Sequence, residues 1–470
     1  IARKESSMKQ IRILILALLV CGAFLSHAAT NEWRQYASPE DAGFDAQALA
    51  AAREQADRAR SGAVVVVVDG HLLAAWGAVD RKLELYSVRK SLYSALWGIA
   101  EERGLARLET TIGELGVDDL QPLTAAEKQA RLLDLLQARS GVYHPSAYSP
   151  ASMDERLPAR GSHAPGTHWF YNNWDFNVAG ALLESVTGRP FGALFEEWIA
   201  KPIGMEDYRA GDVRPMREPG VSRWPALTLR MSARDLARFG QLWLNEGRWN
   251  GRQIVPAKWI ERASAPVSAT PMKGEGYGMM WWTYAPGALS ADRHPHAARV
   301  HSILGRGTGG QVVAVIPALK LVIVHRGDTD HGRPVSDGDV WAIVDKIIGA
   351  RREAPAKRPA LTALRAESFA SQLPPLEVPA AIALDAQTMS ALAGDYELRP
   401  GVTARIFVHD GRLYGSMPGR GEAELFAVAP DELRVHVDPA ARIRFDRDDT
   451  GAVRAMRVTM AGRELTAQRK

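Results

Sequence analysis

A single cysteine, Cys21, stands in a chain of 470 residues. One thiol forms no internal disulfide and supplies no thiolate cluster for a metal, so neither device is expected to organise this protein. No apolar run reaches the roughly 18 residues of a membrane-spanning helix. Charge of neither sign dominates, with 58 Lys and Arg against 54 Asp and Glu and a net +4. Two common hydrolytic signatures are also missing. Without G-x-S-x-G there is no nucleophile elbow of the α/β-hydrolase kind, and without H-E-x-x-H there is no helix-borne zinc protease site.

The charge is concentrated at the N-terminus, where Arg3, Lys4, Lys9 and Arg12 against Glu5 carry +3 of it. Met8 is the expected start. Lys9 and Arg12 form a positive n-region, residues 13–25 an apolar core, and Ser26-His27-Ala28 a small-x-small cleavage site, so residues 1–28 read as upstream residues and a signal peptide. A retained anchor is the alternative. Lipidation at Cys21 is disfavoured by Val20, which occupies a position that calls for a small residue. Cleavage after Ala28 would leave an exported (periplasmic or secreted), cysteine-free, nearly neutral protein with no stable membrane span and no electrostatic footprint for nucleic acid.

What is present begins with Ser87-Val88-Arg89-Lys90. A serine three residues before a lysine on a helix shares its face. The amine can then take the hydroxyl proton, provided that burial or a nearby cation keeps it neutral. The pattern alone is common, and Ser6 and Lys9 repeat it in the leader. Context separates the two. Leu92, Ala95, Leu96 and Ile99 recur at helical spacing after Lys90, and two strand-like runs precede Ser87. Ser87 is therefore expected in the first turn of a buried helix.

Those runs, residues 63–69 (AVVVVVD) and 71–76 (HLLAAW), flank Asp69-Gly70 and predict a hairpin. Strand-like segments return at 311–316 (QVVAVI) and 320–325 (KLVIVH) after a long helical and turn-rich stretch. The expected class is α/β (α+β), an antiparallel sheet built from distant parts of the chain, with helices packed on it or set in a separate lobe. The domain boundaries follow: 29–350 for this unit, 351–380 as a Pro/Ala-rich linker or loosely packed connection, and 381–470 as a small all-β, barrel-like domain of short alternating runs.

Two further segments carry candidate chemistry. Tyr171-Asn172-Asn173 precedes a helix-like stretch at 178–186; a tyrosine there could relay a proton, and Asn173 could hold the lysine or a substrate carbonyl. An isolated tyrosine in a Trp-rich stretch is, by itself, more often a packed ring. Gly305-Arg306-Gly307-Thr308-Gly309-Gly310-Gln311 runs into a strand, and its glycines let backbone amides approach a ligand or simply form a tight turn at a sheet edge.

In this order, the three segments resemble the motifs of the serine β-lactamase and penicillin-binding-protein superfamily, closest to its class C and esterase-like branch. Ser87 to Lys90 is similar to its S-x-x-K and Tyr171 to Asn173 to its Y-x-N. Leu135-Leu136-Gln137-Ala138-Arg139-Ser140-Gly141, Pro165-Gly166 and Met231-Ser232-Ala233-Arg234-Asp235-Leu236-Ala237 are similar to connecting segments of the same family. The resemblance covers about residues 37–350. It implies a sheet covered by helices beside an all-helical lobe, with the site between them. It also implies Ser87 as the nucleophile, Lys90 as its base, and Tyr171 as proton shuttle. Asn173, Gly307, Thr308 and Gly309 would bind substrate or the oxyanion, the last through backbone amides of Ser87 and Gly307, with no metal and no cofactor.

The departure lies in the third motif, where Leu304 stands at the place of the family's lysine or histidine. Leucine cannot pair with the carboxylate of a penicillin or of a peptide C-terminus. Arg306 or His301 could substitute, although on an edge strand either is more often solvated. Relatives with an R-G-x-G-G-Q arrangement look like esterases and amide hydrolases. The expected activity is accordingly hydrolysis of a small-molecule carboxylic ester or amide. The alternatives are a D-amino-acid-directed peptidase, penicillin-binding enzyme or β-lactamase, and a catalytically silent protein that binds cell-wall fragments. The acyl and leaving groups, the oligomeric state and the role of the tail stay open.

Among the remaining polar groups, Asp292, His294 and His296, and Asp328, Asp330 and His331, read as solvated loop residues rather than metal ligands. His144 and His163 are candidates for lining the cleft or for ordinary packing. Trp169, Trp174, Trp281 and Trp282 are divided between an aromatic wall for the substrate and core packing.

Overall fold

The computed structural model describes residues 33–417, 421–436, 438–460 and 463–470, so the predicted leader lies outside the described residues. Strands β1 (Arg34–Tyr36), β2 (Ser61–Val68), β3 (His71–Gly77) and β4 (Leu83–Glu84) come first. β5 (Val213–Glu218), β6 (Ser222–Met231), the short hairpin β7 (Arg248–Trp249) and β8 (Arg252–Gln253), β9 (Ser268–Ala269), β10 (Glu275–Tyr277) and β11 (Trp282–Tyr284) follow the helical middle of the chain. β12 (Ser302–Gly307), β13 (Gln311–Ile316), β14 (Leu321–Gly327) and β15 (Leu361–Ala363) complete a ten-stranded sheet in the order β15-β1-β3-β2-β14-β13-β12-β11-β10-β9. All its pairings are antiparallel except β1 with β3.

The hairpin forms as the sequence predicts. Asp69 and Gly70 turn it with φ of 47° and 85°, values that Gly adopts freely and Asp tolerates. β2 is buried along its whole length, which is why its five consecutive valines do not alternate with polar residues. Val64, Val66 and Val68 join a core with helices Ala46–Arg58 and Asp337–Gly349 on one face. On the other, helix Ala233–Leu244, capped by Ser232, lies so close that a Cβ on Gly240 would sit 2.6 Å from Val322 Cγ1.

Helix Arg89–Glu102 is buried at every position from Arg89 to Ala100. It is an internal element and presents no solvent face. Helix Asn173–Thr187 begins opposite its N-terminus, capped by the Asn172 side chain on Trp174 N.

The tail is a closed antiparallel barrel of eight strands: β16 (Gly394–Arg399), β17 (Val402–His409), β18 (Arg412–Met417), β19 (Gly421–Ala429), β20 (Glu432–Val435), β21 (Asp438–Arg447), β22 (Val453–Met460) and β23 (Arg463–Arg469). Closure through the β16 to β23 pairing leaves no open edge.

The stretch expected as a loose linker is different. Its first twenty residues form a strap on the sheet, with β15 pairing on β1, Glu367 N donating to Ala75 O at 2.9 Å and Gly77 N donating to Glu367 O at 2.8 Å. Phe369 is buried in the main core over Gly77, where an added Cβ would meet its ring at 2.7 Å. The prolines and charges of the segment hid this single anchoring ring. Phe369→Ala in the full chain should lower the free energy of unfolding by about 3 kcal/mol, the usual cost of emptying an aromatic core site. Urea titration followed by tryptophan fluorescence measures it, and a change within about 0.5 kcal/mol would mean that the strap is a passive linker.

Candidate active site

Ser87 sits in a 3-10 turn, Tyr86–Val88, that feeds directly into helix Arg89–Glu102. The residue before it, Tyr86, has φ of 49°, left-handed backbone that costs a bulky residue of order 1–3 kcal/mol. The turn is held from below. Buried Glu84 accepts from Tyr86 N at 3.3 Å and Leu229 N at 3.2 Å, and burial raises its pKa. Buried Arg326 donates to Leu83 O at 2.8 Å, Glu84 O at 3.2 Å and Gln311 Oε1 at 2.6 Å. Its pKa falls to about 9, through burial and then through Arg230. Neither residue carries a motif in the sequence, and both were missed.

Lys90 is the hub. Its Nζ lies 2.8 Å from Ser87 Oγ, 2.7 Å from Tyr171 OH and 2.8 Å from Asn173 Oδ1, and packs over the rings of Tyr171 and Phe176 at 4.5 and 4.6 Å. Burial, followed by the Arg89 guanidinium, pushes its pKa well below the ordinary lysine value. Arg89 is itself buried, donating to Tyr93 OH at 3.1 Å and Tyr86 O at 3.1 Å. The signal for it was a cation directly before the motif lysine.

A neutral amine has two N–H donors and one lone pair. Asn173 Oδ1 can only accept, so it takes one N–H, and one of the two hydroxyls must donate to nitrogen. That hydrogen bond is the one a base requires. Burial raises the Tyr171 pKa, which keeps the phenol protonated. Asn173 is fixed in turn by donating to Tyr148 O at 3.1 Å and Ser149 Oγ at 3.4 Å.

β12 presses against the start of the helix. A Cβ on Gly305 would approach Ser91 Oγ to 2.9 Å, and one on Gly307 would approach Leu85 O to 2.4 Å and Ser87 N to 3.1 Å. Gly307 thus adjoins the Ser87 amide. Thr308 is exposed and Gly309 has φ of 79°, and both belong to the turn that leads to β13. His325 holds that turn, with Nδ1 2.6 Å from Gly310 O and Nε2 2.8 Å from Ser61 Oγ.

A profile of the Beta-lactamase family matches residues 46–344, more than half of the chain. The chain belongs to the Beta-lactamase family. Solved structures similar to it include a protein assigned as a beta-lactamase from Bacteroides dorei DSM 17855, 18% identical over 66% of this chain and 100% of that one, with a TM-score of 0.50. The D-alanine carboxypeptidase AmpC from Burkholderia cenocepacia is 20% identical over 65% and 99%, with a TM-score of 0.44. The octameric penicillin-binding protein homologue from Pyrococcus abyssi is 16% identical over 89% and 99%, with a TM-score of 0.47. No curated protein matches.

In this Beta-lactamase family member the third motif is tightly packed. Leu304 is buried between Trp282 and Ala314 on neighbouring strands. β12 is an interior strand, flanked by β11 and β13, and not the edge expected from the glycines. Arg306 is only partly exposed, and its donors are taken up by protein groups. Its guanidinium pairs with Glu275 at 3.0 Å and Asp337 at 2.6 Å, also donates to Tyr284 OH, and stacks over Trp282. Two carboxylates thus pair with this cation.

The tryptophans divide. Trp281 stacks on Trp243 with ring centroids 4.3 Å apart in the core, and Trp174 is buried with its indole donating to Asp119 at 2.7 Å. Trp169 and Trp282 instead cluster with Tyr277 around Tyr171, the Trp282 and Tyr171 rings being 5.2 Å apart. His144 is buried beside Glu127 and Trp174, and His163 stacks on His168. Asp328 faces His331 at 2.9 Å and Asp330 pairs with Arg230. Among the described residues, no cluster of His, Cys, Asp and Glu is arranged to hold a metal.

Lysine-selective NMR of the full chain should show Lys90 losing its proton at a pH well below the ordinary lysine range. Removing the neighbouring cation in Arg89→Gln should raise that titration toward the ordinary value near 10.4. A Lys90 signal that titrates at the ordinary value in the parent chain would contradict the base geometry.

Proposed function

We propose that this chain is an exported serine hydrolase that cleaves a carboxylic ester or amide through an acyl-enzyme on Ser87. The observation that carries the reading is the single buried amine of Lys90, within 2.8 Å of a serine hydroxyl, a tyrosine hydroxyl and an asparagine carbonyl. Export rests on the n-region, apolar core and cleavage pattern of residues 1–28.

Ser87 Oγ attacks the carbonyl carbon while its proton moves to the neutral Lys90 Nζ. The carbonyl oxygen becomes an oxyanion, for which the amides of Ser87 and Gly307 are the donors. As the intermediate collapses, the bond to the leaving oxygen or nitrogen breaks and Tyr171 OH gives that atom a proton. Lys90 returns its acquired proton to Tyr171, so the site is neutral again with the acyl group on Ser87. Water then repeats the sequence: it loses a proton to the Tyr171 and Lys90 pair, adds to the acyl carbon, and releases the acid as Ser87 Oγ is reprotonated.

Specificity follows from the third motif. With Leu304 apolar and Arg306 neutralised by Glu275 and Asp337, neither offers a cation to a substrate carboxylate beside the scissile bond. The rings of Trp169, Tyr277 and Trp282 favour an uncharged group there. An ester or amide without an adjacent carboxylate suits this wall better than a penicillin or a D-Ala-D-Ala end.

Intact mass after brief exposure to p-nitrophenyl acetate should show an acetyl adduct that Ser87→Ala lacks, and turnover should fall at least about 10³-fold in that variant. Penicillin should leave the mass unchanged. A stable penicilloyl adduct on Ser87 would reassign the substrate class, and undiminished turnover in Ser87→Ala would sink the nucleophile. Gly307→Ala should cut kcat by about 10²-fold with little change in KM, because its methyl would displace the strand from Leu85 O. Steady-state kinetics decides, and an unchanged kcat would remove Gly307 from the oxyanion site.

A further inference from the structure

The barrel is hollow at one end. Inward positions on β17, β18, β19 and β21 are small at that end, with Ala404, Gly415, Ala423 and Ala441, and they leave a cavity of about 500 Å³. The opposite end is filled by Leu413, Leu433, Phe445 and Val453. Ile406, Leu425, Ile443, Met456 and Val458 complete an apolar wall. A cavity of this size lies within the ~300–1,000 Å³ span of small-molecule sites, and an apolar one gives water few partners. A barrel that needed only a packed core would carry larger side chains at the small positions.

The remaining wall comes from the catalytic unit, through Ser149, Pro150, Asp154 and Glu218 among others. Ser149 Oγ accepts from Asn173 Nδ2, and Asn173 Oδ1 accepts from Lys90. The next residue back, Tyr148, accepts from the same amide through its carbonyl and stacks its ring on Tyr86, beside the nucleophile. One loop therefore faces the lumen with Ser149 and Pro150 and the catalytic amine with the Asn173 contacts. We propose that the barrel lumen binds an apolar chain with an uncharged head group, and that occupancy is transmitted to Lys90 through Ser149 and Asn173.

The rim selects the head group. Asp154, Glu218 and Asp438 line the same cavity, and Glu422 N donates to Glu218. Burial, with Glu422 and Asp154 adding to it, lifts the Glu218 pKa to about 7, so a further anionic head would meet a carboxyl that already resists charge. A neutral alcohol, ester or amide fits, and a fatty-acid anion does not.

The test uses the full chain and an uncharged fluorescent probe, N-phenyl-1-naphthylamine. The probe should bind, 1-decanol should displace it, and decanoate at pH 8 should not. Binding should persist in Ser87→Ala and weaken about tenfold or more when Ala404→Phe or Ala441→Phe fills the lumen. Circular dichroism checks their folding, and Val458→Thr, nearly isosteric but polar, serves if the bulky variants unfold. Kinetics then separate two sources of the chain. If Ala404→Phe raises KM for p-nitrophenyl decanoate but not for the acetate, the substrate's own chain enters the lumen. If decanol changes acetate turnover in the parent and not in Ala404→Phe, a separate molecule does. Absent probe binding, binding that survives filling in folded variants, or binding lost in Ser87→Ala overturns the lumen site. Lumen binding with no effect on either ester overturns the link to Lys90. Because the binding readout needs no Ser87, it stands or fails apart from the hydrolase reading.

Discussion

Burying one lysine without a counter-charge is the constraint on which the rest of this structure depends. An ammonium in that position would need a carboxylate, and what surrounds Lys90 is a hydroxyl, a phenol, an amide oxygen and two ring faces. These can satisfy a neutral amine, while the rings offer a cation only weak compensation. The helix that carries Lys90 is accordingly internal on every side, so the low dielectric that disfavours the charge is a property of the whole helix environment. Arg89 adds a cation from the next position and is tolerated because its own donors are used by Tyr93, Tyr86 and Asn177.

Such a site has to be held open against collapse, and the scaffold does this with buried polar groups below the serine. Arg326 reaches across from β14 to carbonyls on β4 and at Met231, tying the sheet to the turn that carries Ser87. Glu84 fastens the other side through the Tyr86 and Leu229 amides. Both are costly to bury, and truncating either leaves the partner groups unsatisfied by about 1–3 kcal/mol each. The left-handed Tyr86 and the close approach of Gly307 to Leu85 are affordable only within this clamp.

The elements legible in the sequence were those whose periodicity or turn chemistry is local. The hairpin over Asp69-Gly70, the helix after Lys90, the strands of the third motif and most of the barrel have patterns that depend on near neighbours. β16 and β23 close the barrel yet read GDYELR and RELTAQR, because each buries little beyond one residue, Tyr396 or Ala467, and carries no alternation to read. The strap over the sheet was hidden for a similar reason, since Phe369 is the one buried ring in a stretch otherwise held by backbone pairing and rich in proline and charge. In the site, Ser87, Lys90, Tyr171 and Asn173 are motif residues and are brought together, whereas Arg326, Glu84 and Ser149 act through contacts that no spacing rule announces.

Arg306 shows how far a motif can mislead about charge. In the sequence it is a cation beside glycines, two positions from the place where the family carries one. In the fold, Glu275 and Asp337 approach it from β10 and from the helix that begins at Asp337, and Tyr284 adds an acceptor, so its donors face protein rather than an incoming carboxylate. The same pairs hold the guanidinium over Trp282, which in turn lies against Tyr171. The arginine therefore contributes to the shape of the aromatic wall while its charge is cancelled. The apolar Leu304 and the doubly paired Arg306 act in the same direction, and under the proposed hydrolase reading both leave a substrate carboxylate without a cation from this strand.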